Sequence, residues 1–197
     1  MNAIAGEGAM GVSRHNAALD SAGATAAVLR PTMQIHATCC ALDGPAGPAG
    51  VLLLGPPGSG KSDLALRLVD AGFLLVADDR VDMDGSGIAP VAAAPATLAG
   101  LIEVRGMGII RLARHMPRAA IVLAVTLAPA VEQERLPETM TTALAGHAVP
   151  TIPVDPTCPG AVARIRLALA VLAGEAESRC GALGPASAGA LARQVSS

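Results

Sequence analysis

An α/β domain is predicted for this 197-residue chain from three observations. Short apolar runs bounded by glycine alternate with an amphipathic segment. A glycine-rich loop joins the first of these runs to that segment. The next run ends abruptly in two aspartates. Strands that stop in chemistry-bearing residues are the mark of an open sheet with its site at the strand ends.

Met1–Thr32 is rich in Ala, Gly and Ser with weak periodicity, and reads as a flexible arm (residues 1–32) with at most a helical turn in Asn16–Arg30. Residues 33–175 read as the folded domain and 176–197 as a loose tail. Gln34–Leu42 reads as one strand, ending at the Gly/Pro-rich Asp43–Gly50 turn. Val51–Leu54 is a continuous apolar run, as expected of a buried central strand. Lys61–Ala71 sets Leu64, Ala65, Leu68 and Ala71 on one helical face, with Gly72 as the stop. Phe73–Ala77 is the second apolar strand. Val81–Ile88 contains Asp-Gly-Ser-Gly, a hairpin-turn signal, and Pro90–Gly100 reads as linker. Leu101–Arg105 alternates like a strand, whereas basic Ile109–Arg118 reads as loop or short helix stopped by Pro117. Ile121–Leu127 is a β-branched strand, Glu132–Gly146 mixed loop and helix, and Val149–Val154 extended, with Pro150 and Pro153 favouring an edge or loop. Val162, Ile165, Leu169 and Leu172 mark the face of a last helix ending near Gly174.

Composition excludes several functions. Aromatic residues make up 1% of the chain, Phe73 alone, so no stacking platform for single-stranded nucleic acid is available. A formal net charge of −2 supplies no basic field for nucleic acid or an anionic membrane. The cysteines (Cys39, Cys40, Cys158 and Cys180) form no C-x-x-C pair, so they read as free thiols rather than zinc ligands, which suits a reducing cytoplasm. The longest apolar stretches, Ala119–Val131 and Leu167–Gly174, fall short of the roughly 20 residues that cross a bilayer. Glu7, Arg14 and Asp20 interrupt any apolar leader, and a cytoplasmic location is expected.

Gly55-Pro56-Pro57-Gly58-Ser59-Gly60-Lys61-Ser62 matches the phosphate loop G-x-x-x-x-G-K-[ST] in full, with a strand before and a helix after it. Glycines let backbone N–H groups approach phosphate oxygens, and the helix N-terminus adds positive potential. In such loops the lysine bridges the β- and γ-phosphates and the hydroxyl ligates Mg²⁺, roles that fall to Lys61 and Ser62. Asp78-Asp79 closes a strand, so the pair is expected to face a bound triphosphate; successive residues point apart, which splits their roles. Glu103 and Arg105, two apart, read either as a metal ligand with a phosphate-neutralising partner or as an ion pair on a solvated face; Gly106 and Gly108 favour a site. His36 alone reads as structural by default. Arg111, Arg114 and Arg118 would share a face if helical, as a solvated surface or as a phosphate-sensing lid, and Arg135 reads as an isolated surface charge.

Four pieces, in order, resemble the catalytic domain of bacterial HPr kinase/phosphorylase. They are His36, the phosphate loop, Leu75-Val76-Ala77-Asp78-Asp79-Arg80-Val81, and Leu101-Ile102-Glu103-Val104-Arg105-Gly106-Met107-Gly108-Ile109-Ile110. The resemblance covers roughly Gln34–Leu172 and is strongest over Gly50–Leu112. It implies a P-loop nucleotide-binding domain of the HPr kinase and phosphoenolpyruvate carboxykinase type. It also implies ATP- and Mg²⁺-dependent phosphorylation of a serine of the phosphocarrier HPr, and a homo-oligomer, usually a hexamer. By the same resemblance Lys61 holds phosphate and Ser62 and Glu103 bind Mg²⁺. One of Asp78 and Asp79 is the base, His36 and Arg105 support the site, and Arg135 matches a family arginine weakly. The chain looks like the short forms without the usual N-terminal domain. Pro56-Pro57 stands where Asp-Ser is more usual. Thr151, Asp155 and Ala161 lie where the family commonly carries a basic residue tied to reverse phosphorolysis, which makes that reaction the doubtful part of what the resemblance implies.

Two other readings fit the residues. One is a P-loop kinase for a small metabolite, with the three arginines as lid. The other is a non-catalytic, nucleotide-responsive regulator, against which the complete set of Lys61, Ser62, Asp78, Asp79 and Glu103 argues. The lack of aromatic residues also predicts modest discrimination between ATP and GTP, since no ring can clamp the base.

Overall fold

The computed structural model describes residues 33–44 and 47–184. The expected arm, 1–32, and most of the expected tail lie outside the described residues. The strands are β1 (Met33–Ile35), β2 (Thr38–Leu42), β3 (Ala49–Leu54), β4 (Leu74–Ala77), β5 (Val81–Asp84), β6 (Val91–Ala93), β7 (Leu101–Val104), β8 (Gly108–Arg111), β9 (Arg118–Leu127), β10 (Met140–Leu144) and β11 (His147–Val154). The helices are α1 (Lys61–Asp70) and α2 (Ala161–Ala173). The main sheet runs β1-β5-β6-β9-β3-β2-β4, with β11 also paired to β9 and β10 to β11; β7 and β8 form a separate hairpin.

β9 organises the sheet because it is the longest strand and almost continuously buried. Most of its length pairs in parallel with β3, from Ala49↔Ala120 to Leu54↔Thr126. On its other side β6 covers Arg118–Ala120 and β11 covers Ala124–Leu127. The register slips between Gly50 and Val51, leaving Val122 as an extra residue. Such a bulge reverses the alternation of side chains. Accordingly Ala119 and Ile121 join one core, while Leu123, Val125 and Leu127 join the other. The second of these cores is roofed by both helices through Leu64, Leu68, Ile165, Leu169 and Leu172. The opposite core is filled from the strands by smaller groups such as Ala37, Cys39, Ala41 and Ala92. Burial, and for Cys40 next the Asp78 charge, pushes the Cys39 and Cys40 thiols well up, so both stay protonated and inert. Phe73 sits 1% exposed between α1 and β4, with the Arg166 guanidinium 5.3 Å from its ring centre. Burying that ring contributes about 1.5–3 kcal/mol.

Several local expectations are corrected. Gln34–Leu42 is two strands broken at His36 and Ala37, because β1 pairs with β5 while β2 pairs with β3 and β4. The supposed linker Pro90–Gly100 contains β6, the return strand of the hairpin that Asp-Gly-Ser-Gly predicts. Ile109–Arg118 is not helical: β8 folds back on β7, and the chain then runs beside β4 through a Leu75↔His115 bridge. Arg111, Arg114 and Arg118 therefore share no helical face, and the lid they would make is absent. Glu132–Gly146 contributes β10 rather than a helix. β11 is paired to β10 over its first half and to β9 over its second, so each half keeps a free side that tolerates Pro150 and Pro153. Beyond residue 175 the chain still packs: Ala176 touches the core, and Leu183 is 8% exposed within it.

Candidate active site

Strand order builds the site. β3, β4, β9 and β11 run parallel, while β2 is inserted antiparallel between β3 and β4. The loops leaving the carboxyl ends of β3 and β4 therefore flank the amino end of β2. That brings the phosphate loop, the aspartate pair and residues 36–38 together, although they are far apart in sequence.

The phosphate loop turns into α1 through Gly60, which caps the helix with φ 91°, a left-handed conformation that favours glycine. Lys61 is 6% exposed, and its ammonium donates to the carbonyls of Gly55 (2.9 Å) and Pro56 (3.0 Å). Burial lowers its pKa from the ordinary 10.5, against an upward pull from Asp79 and then Asp78. Ser59 turns its hydroxyl back into the loop, where it is buried without a hydrogen-bond partner.

The two aspartates divide. Asp78 is 7% exposed and fully engaged. Its Oδ1 accepts the hydroxyls of Thr38 (2.8 Å) and Ser62 (2.9 Å), and its Oδ2 accepts the Glu103 N–H (3.1 Å). The carboxylate thus ties β2, the start of α1 and the β7–β8 hairpin to the end of β4. Asp79 takes a left-handed φ of 65°, which Asp tolerates better than most residues, and its side chain is 66% exposed. His36 Nδ1 lies 3.0 Å from Asp79 Oδ1 and 3.1 Å from its carbonyl oxygen. The break between β1 and β2 turns His36 to the aspartate.

A cavity of about 410 Å³ opens between these groups. Pro57, Gly58, Gly60, Lys61 and Ser62 form one wall; His36 and Asp79 face them, with Thr38 between. Glu103, Val104 and Arg105 form the rim. Arg105 lies beyond the end of β7, so it and Glu103 do not share a strand face; the hairpin turn delivers Arg105 to within 3.9 Å of where a Gly58 side chain would begin. Gly55 and Pro56 act from behind, through the carbonyls that hold Lys61. Sequence reasoning missed Thr38, Asp63 and Leu66, which also line the cavity. Arg111, which donates to the Ala99 carbonyl at 2.7 Å, lies outside the lining, as does exposed Arg135.

The donor set bears on the cation. Among the described residues no three His, Cys, Asp or Glu side chains converge tightly enough to hold a metal alone. What converges is oxygen: the Ser62 hydroxyl on the Asp78 carboxylate, with Glu103 at the rim. That is the chemistry of Mg²⁺, which keeps most of its shell as water and phosphate. The residues fit it.

A model of the HPr Serine kinase C-terminal domain family matches residues 28–157, more than half of the chain. The chain belongs to this family. HPr kinase/phosphorylase of Clostridium acetobutylicum is 42% identical over 82 residues, 42% of this chain and 26% of that protein. The protein of the same description from Lacticaseibacillus casei is 53% identical over 64 residues, 31% of this chain and 19% of that protein. The chain thus spans about a quarter or less of the length of these relatives. A solved structure, the Hpr(Ser) kinase/phosphatase from Coxiella burnetii, superposes with a TM-score of 0.59 at 26% identity, over 73% of this chain and 96% of that one. The family assignment and that superposition bear out the predicted α/β fold. No helix among the described residues is long and apolar enough to cross a membrane.

Proposed function

We propose that this chain transfers the γ-phosphoryl group of ATP to a serine hydroxyl of an HPr-type phosphocarrier protein. One observation carries the reading: within a member of this family, Asp79 with His36 faces the phosphate loop across a single open cavity. The serine oxygen attacks the γ-phosphorus, the bond from that phosphorus to the β–γ bridging oxygen breaks, and ADP leaves. Asp79, the more accessible carboxylate, accepts the serine proton, and His36 orients it. Lys61 leaves the carbonyls of Gly55 and Pro56 for the phosphates. Arg105 neutralises charge at the rim. Ser62, backed by Asp78, and Glu103 would hold Mg²⁺, which when bound would screen the phosphate charge.

The same reading includes a homo-oligomer and a cytoplasmic location. It favours the forward reaction, since β11 and its following turn bring no basic side chain to the cavity lining. Mass spectrometry of HPr after incubation with ATP and Mg²⁺ tests it. Phosphoserine is expected, and its absence where a longer family member succeeds overturns the reading. Adding inorganic phosphate to the phosphorylated product then reads the reverse reaction, for which little release is expected.

A further inference from the structure

Thr38 is fully buried at the start of β2, yet it donates to the one carboxylate that also receives Ser62. A hydroxyl has one proton and two lone pairs. Ser62 turns its lone pairs towards a cation most readily when its proton points away, and Asp78 Oδ1 is where that proton points. That oxygen is held at the correct place by Thr38 from one side, while Glu103 N–H holds Oδ2 from the other. We propose that Thr38 is a positioning residue for the cation: it pins Asp78 so that Ser62 presents its oxygen, and not its proton, to Mg²⁺ bound with nucleotide.

The assignment rests on the kinase reading above, and the failure of one is distinguishable from the failure of the other. A merely structural hydrogen bond between neighbouring strands predicts loss of stability and equal loss of affinity for every ligand. A positioning role predicts a loss confined to the metal-bearing ligand. ADP, titrated calorimetrically with Mg²⁺ and again in EDTA, separates these. Thr38→Val keeps shape and strand preference while removing the hydroxyl, and is expected to weaken Mg-ADP about tenfold, in line with one hydrogen bond. Its affinity for ADP in EDTA should stay within about twofold of wild type. Thr38→Ser restores the donor and should return Mg-ADP affinity to within about threefold. If Thr38→Val does not fold, Thr38→Cys, of similar volume and a weak donor, should show the same Mg²⁺-specific loss. Equal weakening with and without Mg²⁺, no weakening, or failure of Ser to rescue overturns the assignment. Wild-type affinity that ignores Mg²⁺ overturns the kinase reading and the role of Thr38 with it.

Discussion

Asp79→Asn is the sharpest perturbation of the proposed chemistry, because it removes a charge and leaves the shape. Asn also accepts the left-handed backbone that Asp79 adopts at φ 65°. The substitution abolishes the attraction between His36 and a carboxylate whose side chain is 66% exposed. Exposed pairs of this kind contribute about 0–1 kcal/mol, so the unfolding midpoint in urea should barely move. Turnover should fall steeply. Loss of a positioned general base costs about 100- to 10,000-fold, or about 2.7–5.4 kcal/mol on the barrier. The assay is single-turnover transfer of labelled phosphate from ATP to HPr, with unfolding curves in parallel. Asp78→Asn should behave differently. Its amide either leaves the Glu103 N–H facing an NH₂ group, at about 1–3 kcal/mol, or flips and reverses the Thr38 and Ser62 hydrogen bonds. Asp78→Asn should therefore lose stability or Mg²⁺ dependence. Transfer by Asp79→Asn within about fivefold of wild type, with unchanged folding, would refute the division of labour between the two carboxylates.

Three further outcomes rest on the geometry. Burial lowers the Lys61 pKa, and bound phosphate restores it, so nucleotide binding just below the ordinary 10.5 should take up protons; calorimetry in buffers of different ionisation enthalpy reads this, and buffer-independent heats would contradict it. Asp155 has its pKa lowered by the Thr157 hydroxyl first and by the N–H groups of Ala130 and Thr157, so its stabilising effect is full above the ordinary 3.8 and lost as pH falls through its lower folded value. Thermal midpoints of wild type and Asp155→Ala should accordingly converge on acidification below 3.8, and a constant gap would count against this. Gly50→Ala would set a methyl 2.6 Å from the Ala120 carbonyl oxygen, forcing β3 away from β9 at its bulge; a loss of about 1–3 kcal/mol is expected in urea unfolding, and none would show that the strands yield freely.

Much of the fold was legible where the chain speaks in long local patterns. Val51–Leu54, the phosphate loop and α1 form one uninterrupted signal, and α2 declares its face and its glycine stop. Short strands were not legible. β6 is Val-Ala-Ala, too short for any period, and becomes a strand only because β5 and β9 hold it from both sides. β10, Met-Thr-Thr-Ala-Leu, is mostly exposed and carries no apolar face to read. The basic stretch that hid β8 is a strand because it folds onto β7. At the site, the phosphate loop and the aspartates were readable from residue type, but their division into one buried and one exposed carboxylate was not. That depends on β2 entering between β3 and β4, a tertiary choice that also explains why nothing local marks Thr38 as part of the site.

The shared strand β9 has a consequence during synthesis. β3 gains its first neighbour at once, since β2 immediately precedes it. Its other edge waits for β9, roughly 70 residues downstream. At ~5–20 residues per second that edge stays open for about 4–15 seconds on the ribosome. Val51–Leu54 is apolar and β-prone, the kind of unpaired edge that recruits other chains. Nascent fragments ending before Arg118 should therefore collect in the insoluble fraction, and fragments reaching Val154 should not; equal solubility of the two would mean that the β2–β3 hairpin protects itself.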